Sequence, residues 1–231
     1  MFAAVQSSFP AFSAKFEGRV PYMYLDVLGL VTVGVGNLVD PVATAQALPF
    51  RFKNKPGIAA PGSPATQDQI AAEWQRLKND PALKTSGHLA CEPITQLELS
   101  DSAIDSLILD RVTKNEAFLK GQQWFQGFDN WPADAQLGLL SMAWAMGPAG
   151  PGGFPNFRAA CQRLDFSNAA TECKMNEAGN PGLIPRNQSN FILFNNAAVV
   201  LAQENQGRVQ RQNLYYPAAL SAAESAVLGG G

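Results

Sequence analysis

The sequence predicts an α+β fold from three observations. Phe9, Phe12 and Phe16 recur at helical spacing, which predicts a helix over 8–17 with its rings buried. Directly after it, 22–26 and 30–35 are strand-like and are joined by Val27-Leu28-Gly29, the pattern of a short hairpin. From residue 100 onward, apolar side chains return to helical spacing. The 231 residues are 46% hydrophobic, enough to fill the core of one large or two small folding units.

The elements follow in order. Gly18 is placed to stop the first helix, because glycine accepts the left-handed conformation found at helix ends. With the hairpin turn centred near Gly29, Asp26 and Thr32 are expected as approximate cross-strand partners. Residues 40–65 are rich in proline and glycine and read as loop. Thr66-Gln67-Asp68-Gln69 has the form of a capping box, opening a helix with Ile70, Trp74 and Leu77 on one face. Asn79-Asp80-Pro81 closes that helix. A long helix is expected after Ser100-Asp101, with Ile104, Leu107, Ile108, Val112, Phe118 and Leu119 as a core or hinge face and a partner-binding face as the alternative. Pro132 opens a helix through Met146 that is apolar on nearly every side, as a buried central helix is. Two short helices, 154–163 and 168–175, are joined by Leu164-Asp165-Phe166, with Ser167 as the cap of the second. Beyond Val200 the chain reads as a docking tail containing Tyr215-Tyr216-Pro217 and ending in three frayed glycines.

Composition excludes several functions. Seventeen basic against 19 acidic residues give a net charge of −2, with no basic stripe for nucleic acid. No run approaches the roughly 18 apolar residues of a membrane span, so no membrane insertion is expected. The start, MFAAVQSSFPAF, lacks a charged n-region and a cleavage site, so synthesis in the cytoplasm without a signal peptide is expected. His88 is the only histidine, which disfavours a multi-histidine zinc site or a histidine-based triad; in its glycine-flanked stretch it reads as a surface loop residue. Cys91, Cys161 and Cys173 have no metal spacing, and their odd number gives no disulfide framework. No metal or organic cofactor is expected. Asp129 and Asp134, flanking Trp131, read as turn and cap residues.

The chemistry concentrates in one stretch. Glu17 ends the first helix, Asp26 follows nine positions later on the hairpin, and Thr32 lies on the returning strand. Two carboxyl groups with a water-positioning hydroxyl are the minimum equipment for hydrolysing a glycosidic bond. On spacing alone, the same residues also fit a hairpin with a polar outer face and a surface glutamate.

Phe16-Glu17-Gly18, Tyr24-Leu25-Asp26, Gly29 and Thr32-Val33-Gly34-Val35-Gly36 together resemble the catalytic signature of the phage-type lysozymes, the endolysin muramidases of glycoside hydrolase family 24. A second block, Ser141-Met142-Ala143-Trp144-Ala145-Met146-Gly147 followed by Gly150, Gly153-Phe154 and Asn156, is similar to the core helix and following turn of tailed-coliphage lysozymes. A third, residues 182–187 with Phe191 and Phe194, is similar to the arginine-bearing helix near the end of that domain. The blocks keep the family's order over roughly residues 8–200. Asn37 stands where family members commonly carry histidine, Arg186 lies in a less charged helix than usual, and the segment from about 40 to 93 is longer than in the compact enzymes.

The resemblance implies a lysozyme-like layout. An N-terminal catalytic lobe over 1–99 would contain the hairpin and the 40–93 insertion, a connecting helix would span 100–120, and a helical lobe with tail would fill 121–231. It implies hydrolysis of the β-1,4 bond between N-acetylmuramic acid and N-acetylglucosamine in bacterial peptidoglycan by a monomer. Glu17 would be the general acid, kept protonated by the apolar wall around Phe16 and by partial burial. Asp26 would stabilise developing positive charge and, with Thr32, hold the attacking water. An inverting arrangement would separate the carboxyl groups by about 6.5–9.5 Å. Gly36, Trp144, Phe154 and Arg186 would contact substrate. Cys161 and Cys173 fall where the family packs core residues across a helical hairpin, so they are expected close together, as buried thiols or, in an oxidising compartment, as a bridge. A phage or prophage endolysin, and a secreted effector with an immunity protein and delivery machinery, are both compatible. A lytic transglycosylase, which needs only one acid, and a wall-binding module without catalysis are the alternatives.

Overall fold

The computed structural model describes residues 1–221. Along the chain run helix α1 (Ala3–Glu17), strands β1 (Val20–Leu25), β2 (Val31–Gly34) and β3 (Asn37–Leu38), and helix α2 (Val42–Gln46). Strand β4 (Arg51–Phe52), helices α3 (Gln67–Lys78), α4 (Leu83–Ser86) and α5 (His88–Cys91), and strand β5 (Leu97–Glu98) follow. The remainder is helical: α6 (Asp101–Lys120), α7 (Ala133–Met146), α8 (Pro155–Gln162), α9 (Phe166–Glu172) and α10 (Leu183–Gln203). The fold is therefore α+β, compatible with a lysozyme-like layout. Among the described residues, no helix is long and apolar enough to cross a membrane.

Backbone contacts divide the chain into two compact units, Glu17–Ile108, and Met1–Phe16 with the chain from Leu109. This differs from the expected lobes. Most of α1 belongs to the helical unit, and the division falls within α6 instead of setting that helix apart. The rings of α1 are the reason for the first difference: Phe9 lies 5.3 Å from Trp144, and Phe12 lies 5.5 Å from Tyr216.

In the unit 17–108, β1, β2 and β3 form an antiparallel sheet with Tyr24 opposite Thr32 and Leu25 opposite Val31. A bulge between Val20 and Tyr24 lets the neighbours Tyr22 and Met23 both be buried. Helix α3 opens with the expected capping box: the Thr66 hydroxyl accepts from the Gln69 amide, and the Gln69 side chain accepts from the Thr66 amide. Its Ile70, Trp74 and Leu77 are buried, and Trp74 Nε1 donates to the Val39 carbonyl at 3.0 Å, tying α3 to the hairpin. The stretch 40–65 is not all loop. Ala45 and Phe50, both buried, anchor α2 and β4 between the prolines, and β4 pairs with β5 through Phe52 and Leu97.

In the helical unit, α7 is buried along nearly its whole length and packs against α10. Phe125, Trp131, Phe157, Phe166 and Phe194 form one aromatic cluster beside it. The cap of α9 is Asp165 and not Ser167, because the helix starts two residues earlier, at the buried Phe166; the Asp165 carboxylate accepts from the Asn168 amide at 3.1 Å. Cys161 and Cys173 are buried free thiols. Burial pushes both up, Cys173 to about 12, and Cys161 further with Cys173 as its second cause, so the two lie within electrostatic reach of one another.

Asp134 is no surface cap. It is fully buried, and its carboxylate accepts from Asn196 Nδ2 and from the amides of Tyr215 and Tyr216, each at 2.9 Å. Asn196 extends the clamp by donating to the Ala218 carbonyl and accepting from the Leu220 amide, both at 2.8 Å. The tail thus docks through main-chain groups. The terminal glycines lie outside the described residues.

Candidate active site

Glu17 is the last residue of α1, and Gly18 ends the helix with φ of 72°. Its side chain is exposed, which corrects the expected partial burial: the helix stops here, so no further turn covers it. Phe16, the supposed apolar wall, belongs to the helical unit, where the Arg186 guanidinium lies 4.4 Å above its ring.

Asp26 is half-buried and closes the hairpin turn. Its amide donates to the Leu30 carbonyl, and its carbonyl accepts from the Gly29 amide, both at 2.9 Å. Oδ1 accepts from the amides of Leu28 at 2.8 Å and Leu30 at 2.9 Å, while Oδ2 accepts no hydrogen bond from the described residues. Gly29 supplies the φ of 78° that a side chain would resist. Lys78 of α3 donates to the Gly29 carbonyl at 2.7 Å and pairs with Asp40, so the insertion buttresses the turn.

Thr32 faces Tyr24, not Asp26. The loop Val27–Gly29 closes on Asp26 and Leu30, which shifts Thr32 two places along the ladder. Asp26 and Thr32 are diagonal neighbours, a relation spanning about 7–8 Å in a sheet, which leaves room for a bridging water. The Thr32 side chain is only 5% exposed, and its Oγ1 donates to the Leu30 carbonyl at 3.3 Å.

Tyr24 was missed at the sequence level. Burial, then the charges of Asp26 and Glu17, push its phenol up to about 12, so both carboxyl groups lie within electrostatic reach of one side chain. His88, expected as a surface loop residue, opens α5 and packs edge-on against the Tyr24 ring at 5.9 Å, with Nδ1 3.3 Å from Tyr22 Oη. The two-residue steps Tyr22, Tyr24, Asp26 were the available signal for these neighbours. Asn37 is structural: it is buried, and its Oδ1 accepts from the Val35 amide at 3.2 Å. Gly36 is exposed in the turn between β2 and β3 with φ of 67°.

The remaining expected contacts belong to the helical unit. Trp144 is 3% exposed, with Phe9 at 5.3 Å and the Arg111 guanidinium 4.0 Å above its ring. This corrects the expected sugar contact, since a ring so covered is a packing residue. Arg186 is 1% exposed, with Nη1 3.4 Å from Ser141 Oγ as well as its contact with Phe16, and it too lies in the interior. Phe154 is half-buried where α8 begins. Nearby, the half-buried Trp124 lies 3.9 Å from the position a Gly152 Cβ would take, with the Arg158 guanidinium 4.3 Å above its ring.

Comparison with protein-family models and with curated proteins finds no match to this chain. The candidate carboxyl groups, Glu17 and Asp26, lie in the unit 17–108. An exposed carboxyl group at a helix end and a turn-held carboxylate both act on one half-buried phenol, and the Thr32 hydroxyl lies on the strand opposite it.

Proposed function

We propose that this protein is an N-acetylmuramidase that hydrolyses the β-1,4 bond between N-acetylmuramic acid and N-acetylglucosamine in peptidoglycan. The observation that carries the reading is the placement of Glu17 and Asp26 about Tyr24, with Asp26 Oδ1 engaged by turn amides and Oδ2 left to act. Glu17, open to solvent, delivers a proton to the leaving oxygen. Asp26 faces the developing positive charge and, with Thr32, orients the attacking water in an inverting displacement. The enzyme acts on the cell wall, either as an endolysin or as a secreted effector.

Mass spectrometry of digested peptidoglycan tests this. The expected products end in reducing N-acetylmuramic acid, one water heavier per cleaved bond than the 1,6-anhydro ends a transglycosylase leaves. Anhydro products would transfer the chemistry to Glu17 alone, and wall binding without cleavage would make the chain a binding module.

A further inference from the structure

The 40–93 insertion does more than buttress the hairpin. With β1 and β5 it encloses a groove of about 460 Å³ in the unit 17–108. One side is formed by the exposed His88 and by Leu89, 69% exposed, while Tyr22, with Oη 3.3 Å from His88 Nδ1, is buried and holds the ring in place. One flank is rigid: the buried Lys53 amine donates to the Glu92 carbonyl at 2.8 Å and to Thr95 Oγ1 at 2.7 Å, and lies 4.5 Å above the Tyr22 ring. Two hydrogen bonds and the ring contact hold the ammonium group, so Lys53 is part of the frame.

Lys55 and Glu98 also line the groove, and neither has an ion-pair partner among the described residues. Charges of both signs beside His88 and Leu89 suit a ligand that carries both a carboxylate and an amine. A neutral sugar has no use for them, and a polyanion would leave Glu98 without a partner. The groove also lies next to the proposed chemistry. Arg19, on its lining, is two residues from Glu17, and His88 contacts the Tyr24 ring.

Resting on the muramidase reading, we infer that this groove is a subsite for the peptide stem of peptidoglycan, with Lys55 taking a stem carboxylate and Glu98 its amine. The stem hangs from the muramic acid beside the scissile bond, so a groove whose lining begins at Arg19, two residues from Glu17, is where it would run.

His88 is the only histidine and therefore a unique reporter of the groove. Titrating the full chain with a synthetic stem peptide bearing free carboxylates and one amine should shift the His88 ring resonances saturably. Lys55→Glu and Glu98→Lys, neither of which touches the proposed carboxyl pair's own residues, should each weaken that binding by about tenfold or more. A stem peptide with amidated carboxylates and an acetylated amine should produce no shift. No saturable shift with the charged peptide, or a shift indifferent to both reversals, overturns the inference. Reducing-sugar release from stem-free glycan strands is measured in parallel. A wild-type chain that cleaves those strands while His88 stays silent loses only the subsite, whereas one that binds the stem yet releases no sugar from any wall loses the muramidase reading.

Discussion

Asp26 holds a turn and, in the proposed reaction, faces the substrate, and substitution separates the two roles. Asp26→Asn can keep an oxygen on the Leu28 and Leu30 amides while removing the charge. Stability within about 0.5 kcal/mol of wild type is expected, with wall hydrolysis down by about 10²-fold or more. Asp26→Ala removes the acceptor as well, and about 1–2 kcal/mol of stability should go with the activity. Glu17 is exposed, so Glu17→Gln should leave the denaturation midpoint in place while cutting hydrolysis by about 10² to 10⁴. A Glu17→Gln enzyme keeping more than about a tenth of wild-type activity would show that Glu17 is not the acid. Turbidity of purified walls, read beside urea denaturation, measures both quantities.

At the scale of elements, the docked tail depends on one buried carboxylate and one ion pair. Asp134→Ala leaves the Tyr215 and Tyr216 amides and Asn196 Nδ2 without their acceptor. A loss of about 2–4 kcal/mol is expected in urea denaturation, and a change below about 0.5 kcal/mol would mean that the tail contributes nothing to folding. Further along, Arg211 pairs with Glu204 through two nitrogens, donates to the Asn130 carbonyl at 2.7 Å and accepts from the Ala133 amide at 2.8 Å, fastening the tail where α7 begins. The Arg211 guanidinium holds the Glu204 carboxyl below its ordinary value of 4.5. A depressed folded value contributes stability that is present above the ordinary value and is lost as pH falls through the folded one. Wild type should therefore melt above Glu204→Gln at neutral pH, and the gap should close as pH falls below the ordinary carboxyl value. A gap that stays constant over that range would remove the pair from the acid limb.

For the whole molecule, the net charge of −2 bears on how a chain with the proposed activity would meet an anionic wall. A strongly basic lysozyme gains on-rate from long-range attraction, which salt screens; this chain has no such attraction to lose. Its lytic rate should change by less than about tenfold between low and physiological ionic strength. A steep decline with added salt would mean that a local basic face, and not the net charge, governs the encounter. Contacts within the unit 17–108, where Lys55 and Glu98 offer both signs, are where recognition is expected instead.

Signals that act within a few residues were legible in the sequence. The phenylalanine stripe of α1, the stop at Gly18, the hairpin, the capping box at Thr66 and the start of α6 each follow from neighbours along the chain, and the candidate carboxyl pair was read with them. What the sequence left open depends on partners far apart in the chain. Asp134 looked like a cap until Tyr215 and Tyr216 came back to it across 81 and 82 positions. His88 looked like a loop residue until α5 packed on β1, and Trp144 looked available to sugar until Phe9 and Arg111 covered it. Even within the hairpin, a closing pair at Asp26 and Leu30 moved Thr32 two places from its expected partner. Local conformation follows from short-range sterics and hydrogen bonds, which the sequence determines by itself. Which side chains end up buried, paired or open to a ligand depends on long-range packing, which only the tertiary structure decides.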